Sequence, residues 1–130
     1  MAAIKMHITL IGENFDPTYI TNRLNMTPDR FRVKEELLRN GREFGHYEWG
    51  ICSSNHETEF ASEVIDEILE RISDKLPLLA AIAKEVNAGW EILFTIDVYG
   101  DFPVIVFSEN FIQMAATLES KIGFDVLLLN

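Results

Sequence analysis

Cys52 is the only thiol in the sequence and the strongest nucleophile it offers, so covalent chemistry would centre there, with His46 or His56 as the activating base. His46 shares the strand parity of Cys52, but at about 3.3 Å per residue an extended chain sets it roughly 20 Å away, too far for a dyad. His56 could approach only through a favourable turn. Cys52 therefore reads as a half-buried structural cysteine. His7, His46 and His56 lack the spacing that puts two imidazoles on one helix face, and one cysteine cannot build a structural zinc site. No metal or cofactor is expected. The seven glycines are scattered and none precedes a Lys-Ser or Lys-Thr pair, which argues against a phosphate-cradling loop and nucleotide hydrolysis. Asp97 and Asp125 sit in otherwise apolar strands, opposite the larger hydrophobes. In neighbouring strands they could form an acid–base pair, whereas the plainer reading is a solvated sheet face. No residue is assigned a catalytic role.

The charge pattern is more informative. Glu57, Glu59, Glu63, Asp66, Glu67 and Glu70 follow one another without an intervening Lys or Arg. Like charges four residues apart on a helix cost about 0.2–0.5 kcal/mol per pair, so local stability did not select that stripe. Upstream, Arg23, Arg30, Arg32, Lys34, Arg39 and Arg42 supply six of the 11 basic side chains. An acidic face and a basic patch are predicted. The net charge of −10 opposes nucleic acid and anionic membrane surfaces as partners and favours a basic protein.

Three readings fit this polarity. The first is a solvated surface whose patches pair internally or across a homodimer. The second is a non-enzymatic interaction domain in which Glu59, Glu63, Asp66, Glu67 and Glu70 dock onto a basic protein, as an immunity protein or nuclease inhibitor would. The third is a small enzyme or ligand-binding domain with its site on a sheet face around Tyr47, Trp49, Asp97 and Tyr99. The immunity-like role is the sharpest expectation, and the orphan enzyme is its rival.

The elements that must position these residues follow from periodicity. Ile4, Met6, Ile8 and Leu10 alternate with polar residues as a strand with one buried face, ending at Gly12. Asp16-Pro17 is a helix start, with Ile20 and Leu24 on one face and Thr27-Pro28 as the stop. Phe31 and Val33, then Tyr47, Trp49 and Ile51, read as a hairpin turning at Asn40-Gly41. From about Glu57 the period becomes helical through Phe60, Ala61, Val64, Ile65, Ile68, Leu69 and Ile72. Pro77 forces a break near Ser73-Asp74, after which helix resumes to Val86. Trp90 to Tyr99 and Val104 to Phe107 read as a second hairpin. A helix over Phe111 to Ile122, capped by Asn110 with Gln113, precedes a last strand from Phe124 to Leu129. The order β-α-β-β-α-β-β-α-β predicts an α+β fold: a mainly antiparallel sheet with helices on one face.

At 130 residues, 48% of them hydrophobic and 25% charged, the chain fits one globular domain over 1–130. Its longest apolar run, Leu76 to Ala83, is far short of the roughly 20 residues that span a bilayer. The start lacks a secretory leader, and one cysteine suits a reducing compartment, so a cytoplasmic location is expected. The opening Ile8-x-Leu10-x-Gly12-Glu13-x-Phe15-Asp16-Pro17-x-x-Ile20-Thr21-x-x-Leu24-x-x-x-Pro28 resembles that of a bacterial family catalogued only as a domain of unknown function. Gly41, Trp49, the long central helix and the Phe124-Asp125-Val126 strand extend the likeness over nearly the whole chain. The resemblance implies a cytoplasmic α+β domain of this size, without an activity or catalytic residues to carry over.

Overall fold

A computed structural model of the chain describes residues 1–33 and 45–129. The segment that holds Lys34, Arg39, Asn40-Gly41 and Arg42 lies outside the described residues. The chain runs β1 (Ala2–Gly12), α1 (Pro17–Leu24), β2 (Arg30–Arg32), β3 (Tyr47–Cys52) and β4 (His56–Thr58). It continues with α2 (Ser62–Ile72), a 3₁₀ turn (Ser73–Lys75), α3 (Leu76–Glu85), β5 (Gly89–Tyr99), α4 (Glu109–Thr117) and β6 (Lys121–Leu129). The fold is α+β, with a largely antiparallel sheet as expected.

Strand order is β2-β3-β1-β5-β6, with β4 paired to the first residues of β1. Only β5 and β6 run parallel, joined by the crossover through α4. The alternation on β1 does what it predicts: Ile4, Met6, Ile8 and Leu10 are fully buried, while Lys5, His7 and Thr9 on the other face are half-buried. All four helices cover the first face. Trp49 donates from Nε1 to Thr21 Oγ1 of α1 at 3.0 Å, Trp90 donates to the Leu79 carbonyl of α3 at 2.9 Å, and Phe94 stacks on Phe111 of α4. The two indoles meet edge to face across the centre of the core, 6.2 Å apart, a geometry that suits the ring quadrupoles.

Local chemistry explains most boundaries. Asp16 caps α1 by accepting from the Thr18 amide at 2.9 Å, and Pro17 occupies the first turn, where its missing N–H costs nothing. The helix stops at Asn25, which adopts the left-handed conformation (φ 52°), three residues before Pro28. Pro77 likewise falls in the first turn of α3, after the break at Ser73–Lys75.

Three sequence expectations are corrected. Residues from Glu57 do not begin the central helix: His56–Thr58 is a strand because β1 offers it free backbone groups at Ala2, Ala3 and Ile4. Helix α2 starts at Ser62, and Phe60 is left half exposed. Val104–Phe107 is no hairpin strand. Val104 makes one isolated bridge to Phe60, and its segment crosses the helical side, where Phe107 stacks on Phe111 with centroids 4.3 Å apart. The last helix is capped by Ser108, whose Oγ accepts from the Phe111 amide at 3.2 Å, and it ends at Thr117. Lys121 and Gly123 belong to β6.

Candidate functional site

Three surfaces gather the side chains capable of chemistry. The first is the sheet face without helices. Register places His7 of β1 directly opposite Cys52 of β3, and Thr9 opposite Gly50, with Arg30 of β2 on the far side of Gly50. Side chains so paired have Cβ atoms about 4.5–5.5 Å apart. Glycine suits position 50, since a Cβ there would stand 3.0 Å from the Ile8 carbonyl and from Thr9 Oγ1, tighter than an ordinary contact. A cleft of about 220 Å³ results, lined by Lys5, His7, Thr9, Asp29, Arg30 and Cys52. Burial pushes the His7 imidazole below its ordinary range, and Lys5 and Arg30 reinforce the shift by disfavouring another positive charge. The ring nitrogen lies 3.4 Å from Thr95 Oγ1. The Cys52 backbone is held on both sides: its amide donates to Asp29 Oδ2 at 2.8 Å and its carbonyl accepts from Arg71 at 3.0 Å.

An uncharged imidazole beside a thiol, with two cations at the rim, can accept a proton and attract an anion. Sequence reasoning missed His7 because it sought the base along one strand. The partner instead comes across the ladder, from a strand distant in sequence. His46 engages Glu48 at 3.0 Å, and His56 sits under α2, so neither faces the thiol. Among the described residues no group of three His, Cys, Asp or Glu side chains is placed to hold a metal.

The second surface is α2 with the segment that leads into it. Its acids divide into two sets. Glu67 accepts from the Ser54 amide and hydroxyl, both at 2.6 Å, and from His56 Nε2 at 2.9 Å. Those bonds, the one from His56 foremost, hold its carboxyl down at about 2. Glu63 accepts from Thr58 Oγ1 and lies 3.7 Å from His56 Nδ1. Together they clamp β4 and the connection that precedes it onto the helix. Glu59, Asp66 and Glu70 are exposed and take no salt-bridge partner among the described residues. Glu70 borders a groove of about 430 Å³ between α2 and α4, with Leu69 and Leu76 as apolar lining and Ser73, Asn110, Gln113 and Thr117 as neutral polar groups. Neither Glu57, which stands opposite Ala3 on β4, nor Glu59, which lies between β4 and α2, is on the helix as the sequence predicts.

The basic segment is largely engaged where it is described. Arg23 pairs with Glu85 at 2.5 Å, which raises the guanidinium and lowers the carboxyl from their ordinary values. Arg30 pairs with the buried Glu48 at 2.9 Å.

The third surface comprises the remaining sequence candidates and the sheet edge. Tyr47, Trp49, Asp97 and Tyr99 do not form one face. Trp49 is fully buried under the helices and Tyr47 packs beside it against Phe15, whereas Asp97 and Tyr99 lie on the helix-free side. Asp97 and Asp125 are on adjacent strands and share that side, offset diagonally: Asp97 stands opposite Leu127, and Asp125 opposite Thr95. Beyond them, β6 forms the sheet edge and leaves Ile122, Phe124, Val126, Leu127 and Leu128 exposed. No described helix is long and apolar enough to cross a membrane.

No curated protein and no solved structure matches the chain. A family model does match, over residues 2–129, which takes in every strand and helix described above. The chain belongs to the family described as Domain of unknown function (DUF4279).

Proposed function

We propose that this domain is a non-enzymatic interaction module that binds a basic protein through α2, in the manner of an immunity protein. The observation that carries the reading is the groove beside Glu70. Its apolar lining suits the stem of a lysine or arginine from the partner, its amides and hydroxyls suit the polar head, and its one carboxylate supplies the counter-charge. Asp66 extends the negative field along the helix and Glu59 adds to it from the segment that leads into α2, where they would speed capture of a cationic partner. Glu63 and Glu67 have a different task, because their carboxylates hold β4 and the connection that precedes it.

The test follows from that division. Replacing Glu59, Asp66 and Glu70 together by lysine is expected to abolish retention of a basic partner in pull-down from the native host, with melting temperature preserved. Undiminished capture by the triple variant would refute the reading.

The cleft around His7 and Cys52 supports the rival, a ligand-binding or catalytic site on the helix-free face. A small anion that raises the melting temperature of the wild type, but not of His7→Ala, would favour it over the interaction module.

A further inference from the structure

The two ends of the sheet are finished differently. At one end β2 presents Arg30 and Arg32 over three residues, a short charged edge of the kind that resists further pairing. At the other, β6 runs nine residues and, among the described residues, has β5 alone beside it. Alternate residues of such a strand direct their N–H and C=O groups outward, where nothing described meets them. Its side chains are apolar on both sides of the sheet. On the helical side Ile122, Phe124, Val126 and Leu128 are 40%, 46%, 40% and 70% exposed, and on the other side Leu127 is 54% exposed. These five leave on the order of 500 Å² of apolar surface on one strand, comparable to the largest patch of an ordinary monomer and over half of what each partner buries in a stable interface.

We infer that β6 pairs antiparallel with the β6 of a second copy, about a two-fold axis at Val126, and so joins the two sheets into one. Charge argues for a second copy. The chain carries −10, but Lys121 and Asp125 leave this strand neutral, so two copies meet where their mutual repulsion is weakest. Side-chain register argues for the axis. A two-fold perpendicular to the sheet keeps each face continuous only if it passes through a residue. At Asp125 it would oppose two carboxylates. At Val126 it sets Phe124 against Leu128 and Val126 against its twin on the helical side, with Asp125 against Leu127 and Gly123 against Leu129 on the other, and no like charges meet. The contact is isologous and closes at two copies, because the two-fold uses the β6 edge of each. It uses none of the acidic residues of α2.

Light scattering after gel filtration, with sedimentation equilibrium of the full chain, tests this directly. The expected particle has twice the 14.9 kDa chain mass. Val126→Lys and Leu128→Lys are each expected to weaken the dimer by at least about tenfold, with unchanged far-ultraviolet circular dichroism; Leu128, the most exposed of the set, is the variant least able to disturb folding. In a Cys52→Ser background, Val126→Cys should form an intermolecular disulfide on mild oxidation, because the axis brings the two Cβ atoms within about 5 Å. A wild type that stays monomeric up to about 100 µM, far above the Kd of stable interfaces, overturns the inference. So does a dimer that both lysine variants leave intact, or one that Val126→Cys fails to cross-link.

Discussion

Glu67 looks in the sequence like one member of an acidic run, yet it accepts three hydrogen bonds from Ser54 and His56 and joins two elements. The sign of its pH dependence follows from its lowered carboxyl. Folded, it titrates at about 2 against an ordinary 4.5, so its contribution is complete above about 4.5 and is lost as pH falls toward 2. Glu67→Gln is expected to cost about 1 kcal/mol in urea unfolding at neutral pH, less than the usual range for charge-assisted bonds because the carboxylate is about a third exposed and screened by solvent. The difference between wild type and variant should narrow between pH 4.5 and pH 3, and a gap that stays constant across that range would assign the cost to packing. Neither this role nor the His7–Cys52 pairing was legible in the sequence, for one reason. Both depend on which strands become neighbours, and spacing along one segment cannot report that. What was legible was local: Asp16 as a cap, Ile20 and Leu24 as a buried face, and alternation on β1.

Helix α4 shows where local signals compete. Ser108 and Asn110 are both residues that cap helices, and Asn110 with Gln113 imitates a capping box. The position of Phe111 decides between them. Its amide donates to Ser108 Oγ and the helix already includes Glu109 and Asn110, which puts the cap at Ser108 and Phe111 at the third helical position, where its ring meets Phe94 and Phe107. Ser108→Ala should therefore lower unfolding free energy by about 1 kcal/mol, while Asn110→Ala should change it by no more than a few tenths. Chemical denaturation of the two variants checks the assignment, and the reverse ranking would move the cap. Strand β4 escaped notice because His56, Glu57 and Thr58 carry no apolar alternation, and pairing to β1 alone makes them extended. Val104 to Phe107 has the apolar, β-branched composition of a strand but no neighbour among the described residues to complete a ladder, so one bridge to Phe60 is what forms. Strand state is granted by partners, whereas α2 and α3 carry their pattern within themselves.

Across the whole molecule the charge is uneven in how it is used as well as in where it lies. Arg23, Arg30, Arg71 and Lys75 are occupied by internal hydrogen bonds, while Glu59, Asp66 and Glu70 are not balanced locally. With a net charge of −10 the folded chain repels itself, so salt should stabilise it. Raising sodium chloride from about 20 mM to about 500 mM is expected to lift the melting temperature by roughly 4 °C, the shift that about 1 kcal/mol gives in a domain of this size. A fall on adding salt would mean that the internal ion pairs outweigh the repulsion. The general architecture was readable because hydrophobic period and helix breaks are dense in this chain, but the strand order was not. That order has a consequence for synthesis. The central strand β1 is made well before β5, yet its longest ladder is with that strand, from Ala2 opposite Val98 to Ile11 opposite Gly89. At about 5–20 residues per second, a ribosome needs several seconds to deliver that partner. Through that interval one side of an apolar strand waits unpaired, and a nascent chain of this kind is where a chaperone has most to shield.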